Sequence, residues 1–121
     1  MRFVGWLPIE QIPRYIAQAD IGVVPASAYW LLPNKLFEYV AMGKPVIAAE
    51  SPALKAVFGE EAIAYFQPDN EVSLAQRILE LHASPTKASC LARNARLAYE
   101  RYTWSVMKQT YVDLHKELLS A

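Results

Sequence analysis

The chain has 121 residues, of which 54% are hydrophobic and 20% charged, and this composition excludes disordered and fibrous proteins. Twelve basic and twelve acidic side chains cancel, and no local run of like charge occurs, which argues against a nucleic acid as partner. A single cysteine excludes an internal disulfide and fits a reducing compartment.

No apolar run approaches the roughly 18 residues that a membrane-spanning helix needs. A strand-like segment follows Met1 directly, so we expect no signal peptide and a cytoplasmic location. Neither a linker nor an internal repeat interrupts the pattern, which predicts a single unit over residues 1–121.

The first half of the chain alternates short apolar runs with helical stretches. The apolar runs predict strands at residues 2–4, 20–24, 45–48 and 62–66. The stretches between them predict helices at residues 8–19, 34–42 and 52–58. This alternation is typical of an α/β fold with Rossmann-like βαβ units, in which a short parallel sheet of about four strands is flanked by helices.

The second half of the chain is predicted to be helical. Asp69 or Asn70 is suited to cap a first helix, and Ser84 with Pro85 ends that helix and starts the next. Thr103 is predicted to cap the last helix.

The stretch Pro33-Asn34-Lys35-Leu36-Phe37-Glu38-Tyr39 opens the second helix, which Gly43 ends. A helix that starts after the carboxyl end of a parallel strand lies where α/β sheets bind ligands, and its free N–H groups suit a phosphate. Helical spacing places Asn34, Lys35 and Glu38 on one face. This arrangement favours a diphosphate at the helix start beside Lys35 and a ribose at the Glu38 carboxylate.

The same spacing has a simpler interpretation. Lys35 and Glu38 are also spaced as an ordinary exposed ion pair, which would contribute a few tenths of a kcal/mol. Spacing alone does not decide between an ion pair and a ligand site.

Two segments resemble the donor site of the retaining glycosyltransferases of family 4, which have the GT-B fold. Their sequences are DIGVVP at residues 20–25 and PNKLFEYVAMGKPVIA at residues 33–48. Shorter matches at residues 3–5, 67–70 and 103–104 extend the resemblance over the whole chain. The resemblance identifies the chain as a truncated C-terminal nucleotide-sugar-binding domain.

The resemblance implies roles for individual residues. In the family, the glutamate at the position of Glu38 binds the ribose hydroxyls, and N–H groups at the helix start, here from Asn34 to Leu36 after Pro33, approach the diphosphate. The implied reaction transfers a sugar from a nucleotide-diphosphate sugar to an acceptor with retained configuration, in polysaccharide or glycolipid synthesis. The resemblance also implies that the donor is held without a required metal or other cofactor, and the lack of an Asp-x-Asp pair in the sequence agrees with this.

The sequence departs from the family pattern at one motif position. Trp30 stands eight residues before Glu38, where the family often has a glutamate that contacts the donor sugar. That role is therefore not carried over. We interpret Trp30, with Ser27 and Tyr29, as shaping the sugar pocket, and packing of Trp30 under the loop is the alternative.

Large parts of the family's enzyme have no counterpart in this sequence. The acceptor-side domain is absent, and so are the first two strands of the donor domain and the basic pair that clamps the diphosphate. We therefore expect weak donor binding by this chain, no catalysis without an N-terminal half, and no identifiable catalytic residue. Peripheral membrane association of the full enzyme stays open.

The absent strands predict an open sheet edge, and open apolar edges recruit a partner. Residues 2–5 would then pair directly beside residues 21–24, or two chains would share the edge as a homo-oligomer.

The remaining candidates carry weaker signals. His82 is predicted on an apolar helix face and His115 on an exposed one, and neither has a second ligand at metal spacing. Cys90 is predicted to pack among small residues. Four aromatic residues at helical spacing are interpreted as core, with part of their surface exposed: Tyr99, Tyr102, Trp104 and Tyr111.

Two other functions stay open beside the transferase. One is a non-catalytic, truncated module that binds a nucleotide or another chain, and the other is a nucleotide-sugar epimerase of GT-B fold.

Overall fold

Three short parallel strands organise the fold in the computed structural model, which describes residues 1–25 and 32–121. Strands β1 (Gly22–Val24), β2 (Val46–Ala49) and β3 (Ala64–Phe66) form one sheet in the order β1-β2-β3. The helices are α1 (Ile12–Gln18, after a 3-10 turn at Ile9–Gln11), α2 (Asn34–Ala41), α3 (Pro52–Val57), α4 (Glu71–Ala83), α5 (Pro85–Tyr99) and α6 (Trp104–Ser120). The predicted α/β class with a parallel sheet is confirmed.

Strand β2 is completely buried because helices cover both faces of the sheet. Val46 and Ala48 pack in a cluster with Leu36 of α2. Ile47 and Ala49 point the other way, into a second cluster that includes residues of α4 and α5, Leu81 and Leu91. The strand therefore has the continuous apolar sequence that a doubly covered parallel strand requires.

The first predicted strand is wrong. Residues 2–4 form no strand, Phe3 is 85% exposed, and the described sheet has three strands rather than four. The pairing of residues 2–5 with residues 21–24 is also wrong, because β1 pairs with β2 alone among the described residues. An apolar run indicates a tendency to be buried, but a strand also needs a neighbouring backbone to hydrogen-bond. Edge sharing between two chains stays a prediction.

In the second half of the chain, capping side chains hold the starts of two of the three helices. Asn70 caps α4 by accepting a hydrogen bond from the Ser73 N–H at 2.9 Å, whereas Asp69 has a left-handed φ of 57°. Ser84 ends α4 and caps α5 by accepting from the Lys87 N–H at 3.2 Å. Thr103 occupies the cap position of α6, but its side chain makes no capping bond.

The apolar faces of the last helices match the prediction only at α5. There Leu91, Ala92 and Ala95 are buried. In α4 the buried residue is Leu81, and His82 is exposed, so its predicted place on a buried apolar face is wrong. Two apolar stripes with the same spacing compete in α4, and the one that packs contains Leu74 and Leu81.

The predicted packing of Cys90 and of most aromatic residues is also wrong. Cys90 is exposed, and α6 has no buried residue. Tyr99 packs against Phe37 with ring centroids 6.1 Å apart. Tyr102, Trp104 and Tyr111 are exposed, which agrees with the expectation that part of this aromatic surface is uncovered.

Gly43 ends α2 with a φ of 72°, and a Cβ added there would meet no atom within 4 Å. The left-handed backbone is thus the reason for glycine at this position. We expect Gly43→Ala to lower the free energy of unfolding by about 1–2 kcal/mol, and Gly43→Asn by less, since asparagine tolerates this conformation. Urea unfolding measures both, and an alanine variant as stable as the natural chain would contradict the prediction.

Candidate functional site

Helix α2 is anchored in the core by one face. Leu36 and Val40 are completely buried. The Phe37 ring packs against Phe58 and Tyr99, with ring centroids 5.7 and 6.1 Å apart. The helix follows the carboxyl end of β1, which is the position that the sequence predicts for a ligand site.

The opposite face of α2 carries the predicted polar residues. Asn34, Lys35 and Glu38 are all exposed. Lys35 Nζ lies 3.0 Å from Glu38 Oε2, with side chains 44% and 45% exposed. The predicted proximity of Lys35 and Glu38 is therefore confirmed. Because water reaches both charges, their pair contributes little to stability, and either group can exchange its partner for a ligand.

At the start of α2, the residue at the cap position makes no side-chain capping bond. Pro33 occupies the cap position, and no acidic residue lies in the first turn. The Leu36 N–H donates to the Pro33 carbonyl oxygen at 3.1 Å, and the Leu36 side chain is fully buried. The N–H groups of Asn34 and Lys35 have no acceptor within the helix itself. They, rather than Leu36, are the backbone donors suited to an anion.

Trp30, Ser27 and Tyr29 lie outside the described residues. Their predicted contribution to a sugar pocket stays a prediction.

The other end of α2 is held by contacts distant in sequence. The Arg96 guanidinium of α5 donates to the Ala41 carbonyl oxygen. Lys44 Nζ donates to the Ala17 carbonyl oxygen, at the end of α1, at 2.9 Å. The sequence gives no signal for either contact, because the partners are 55 and 27 residues apart.

An apolar groove of about 420 Å³ lies between α1 and α2, with Glu38 on its border. Its other lining residues are Ile9, Ile12, Pro13, Ile16, Ala41 and Met42. The isoleucines recur at the spacing of a buried helix face, so the sequence did not distinguish groove-lining positions from core positions. An apolar wall bordered by a carboxylate suits a ligand that has both a flat apolar part and hydroxyl groups.

A second polar cluster surrounds Tyr65, and its ion pairs and hydrogen bonds are made within the fold. Lys55 Nζ lies 2.7 Å from Glu50 and 3.4 Å from Glu60. The Tyr65 hydroxyl donates to the Phe58 carbonyl oxygen at 2.6 Å. Burial, followed by the Glu61 charge, raises the pKa of Tyr65 above its usual 10.0. These contacts stabilise the fold.

The described residues show neither a metal-binding cluster nor a membrane-spanning helix. Within residues 1–25 and 32–121, no three His, Cys, Asp or Glu side chains are grouped to hold a metal ion. None of the helices in these ranges is long and apolar enough to cross a bilayer. Metal independence of the site stays a prediction.

Comparison with known proteins gives one family and several similar chains. The family model of the group 1 glycosyl transferases matches residues 1–84. TuaH of Bacillus subtilis (strain 168), a glycosyltransferase assigned to teichuronic acid biosynthesis, is 31% identical over 67 residues, which cover 52% of this chain and 17% of that protein.

Solved structures give the same fold. Sucrose-phosphate synthase from Thermosynechococcus elongatus superposes with a TM-score of 0.84 and 28% identity over 98% of this chain and 30% of that one. Anabaena Alr3699/HepE, crystallised with UDP and glucose, has a TM-score of 0.85 and 21% identity over 96% of this chain and 32% of that one. In each case this chain spans a third or less of the similar protein's length.

The exposure of the Lys35–Glu38 pair predicts that it is dispensable for folding. We expect Lys35→Gln to change the free energy of unfolding by less than about 1 kcal/mol. Leu36→Ala, on the buried face of the same helix, should cost about 2–5 kcal/mol. Urea unfolding measures both variants, and a loss of stability in Lys35→Gln that equals that in Leu36→Ala would show that the pair holds the helix.

Proposed function

The chain belongs to the group 1 glycosyl transferases, and we propose on this premise that it is the donor-binding part of a retaining glycosyltransferase. The reaction transfers a sugar from a nucleotide-diphosphate sugar to an acceptor, in the synthesis of a polysaccharide or glycolipid. The observation that carries the proposal is the Lys35–Glu38 face at the uncapped start of α2, beside the apolar groove.

Each part of the donor has a matching group on this face. The diphosphate lies at the helix start, where the N–H groups of Asn34 and Lys35 and the Lys35 ammonium meet its charge. The Glu38 carboxylate accepts hydrogen bonds from the two ribose hydroxyls, which replace Lys35 as its partner. The base, attached to the same ribose, lies against the apolar groove that Glu38 borders.

The site contributes positioning and charge stabilisation to the reaction. During transfer the bond between the anomeric carbon and the diphosphate oxygen breaks, and negative charge grows on the leaving diphosphate. Fixed N–H dipoles and the Lys35 ammonium stabilise that charge better in the transition state than in the bound donor. With these dipoles and this cation facing the diphosphate, we propose that the site requires no metal.

Two of the similar proteins support the choice of substrate class. HepE was crystallised with UDP and glucose, which favours a UDP-type donor among the nucleotides. TuaH is assigned to teichuronic acid biosynthesis, and its name supports a biosynthetic transferase.

An acceptor-side domain is the principal partner that we propose. The resemblance assigns to it the acceptor site, and assigns to the missing strands the basic clamp on the diphosphate. The chain by itself therefore binds a nucleotide weakly and transfers no sugar.

Calorimetric titration with UDP, GDP and CDP tests the proposal. We expect saturable, weak binding of one of them, with UDP favoured. Glu38→Ala should weaken that binding about tenfold or more, because hydrogen bonds to a charged group contribute about 1.5–3 kcal/mol. Glu117→Ala, an exposed carboxylate on α6, is the matched control and should bind like the natural chain.

Two results of the same titration would contradict the proposal. Binding of none of the three nucleotides would favour the non-catalytic module. Unchanged affinity in Glu38→Ala would remove Glu38 from the site. Repeating the titration with EDTA tests metal independence, and a loss of affinity on chelation would show that a metal is needed.

A further inference from the structure

Tyr39 and Gly22 make an unusually close contact between α2 and β1. A Cβ placed on Gly22 would lie 2.4, 2.5 and 2.9 Å from Cδ2, Cγ and Cε2 of the Tyr39 ring. The ring therefore occupies the space that any other side chain at position 22 would need. Gly22 is buried, and Tyr39 packs against the core cluster that includes Leu36 and Val40.

The glycine is required here by space and not by backbone conformation. The residues with a positive φ in the described ranges are Gly5, Gly43 and Asp69, so Gly22 has a backbone that any residue can adopt. The clash includes Cγ of Tyr39, which is the ring atom closest to the helix backbone. Rotation of the ring about its own axis cannot move that atom, so a methyl group on residue 22 has to turn the whole ring out of its place against the core or displace the helix.

Two backbone hydrogen bonds connect Gly22 and Tyr39 to the segment that leads into β2. The Gly22 N–H donates to the Pro45 carbonyl oxygen at 2.9 Å, just before β2. The Lys44 N–H donates to the Tyr39 carbonyl oxygen at 3.0 Å, just after α2. The ring is thus surrounded by β1, α2 and the connection to β2, which these two bonds link. A shift of the helix would therefore also disturb β1 and that connection.

From this geometry we propose that Tyr39 is a positioning residue for the nucleotide site. Its ring packs directly on the backbone of Gly22, and this contact holds α2 at a fixed distance from β1. Tyr39 directly follows Glu38, and the ring contact fixes how far α2 lies from β1. It thereby fixes the Glu38 carboxylate and the N–H groups of the helix start relative to the sheet. The inference rests on the proposed function, because that function supplies the nucleotide as ligand. The contact between Gly22 and Tyr39 is independent of it.

Two substitutions test the contact. Gly22→Ala introduces a clash with the Tyr39 ring, and Tyr39→Ala removes that ring. Gly22→Ala should weaken UDP binding about tenfold, because displacing a binding group by about 1 Å has effects of this size or larger. Adding Tyr39→Ala to Gly22→Ala relieves the clash but also removes the ring that sets the helix, so it should recover only part of the affinity. Tyr39→Phe, which keeps the ring, should bind like the natural chain.

A control separates positioning from general stability. Leu81→Val removes one carbon from the second core cluster, away from α2, and lowers stability without moving the helix. It should leave the affinity for UDP unchanged at a temperature where every variant is folded by circular dichroism. An equal loss of affinity in Leu81→Val, a Gly22→Ala variant that binds normally, or a double variant no better than Gly22→Ala would overturn the inference.

A second measurement needs no ligand. Backbone amide shifts in NMR spectra report the position of α2 directly. They should change from Lys35 to Tyr39 in Gly22→Ala and return toward those of the natural chain in the double variant. If the natural chain binds no nucleotide, the proposed function fails, and the amide shifts still decide whether Gly22 and Tyr39 set the helix.

Discussion

Complete burial of β2 is the constraint from which the position of the site follows. Side chains alternate along a strand, so burial of Val46 through Ala49 requires an apolar layer on each face of the sheet. On one face, α2 provides part of that layer with Leu36 and Val40. An α-helix with an apolar stripe against the sheet must direct its remaining residues to solvent, and these include Lys35 and Glu38. The packing of the core therefore leaves the charged face of α2 exposed to solvent.

The two ends of α2 differ in the charges and capping groups that meet the helix dipole. At its C-terminal end, Gly43 supplies the left-handed turn, and the Arg96 cation donates to the Ala41 carbonyl oxygen where the helix dipole is negative. At its N-terminal end no side chain of the described residues caps the helix, and Lys35 places a positive charge against the positive end of the dipole. That arrangement is unfavourable for the free helix and becomes favourable when an anion lies between the charge and the helix start. The asymmetry distinguishes α2 from α4 and α5, which Asn70 and Ser84 cap.

The sequence predicted those features that depend on neighbouring residues. The Lys35–Glu38 pair, the capping Asn70 and the buried run of β2 all arise from short-range spacing. Two of the features it missed depend on a partner far along the chain. Residues 2–4 have the composition of a strand but no backbone beside them, and Arg96 reaches Ala41 across 55 residues. Engagement of the Leu36 N–H by Pro33 depends on the turn at the helix start, which residue types alone do not determine.

Apolar surface is exposed outside the groove beside Glu38 as well as within it. Trp6 near the start of the chain and Trp104 on α6 are 87% and 72% exposed, and surface of this kind marks places where another protein part packs. Helix α2 depends on neither, because its packing partners are β1, β2 and α5. Helix α2 thus has its own support, independent of the two exposed tryptophans. Under the proposed function, donor binding needs α2 and the sheet, whereas sugar transfer also needs a surface that faces them, so the two steps would be separable.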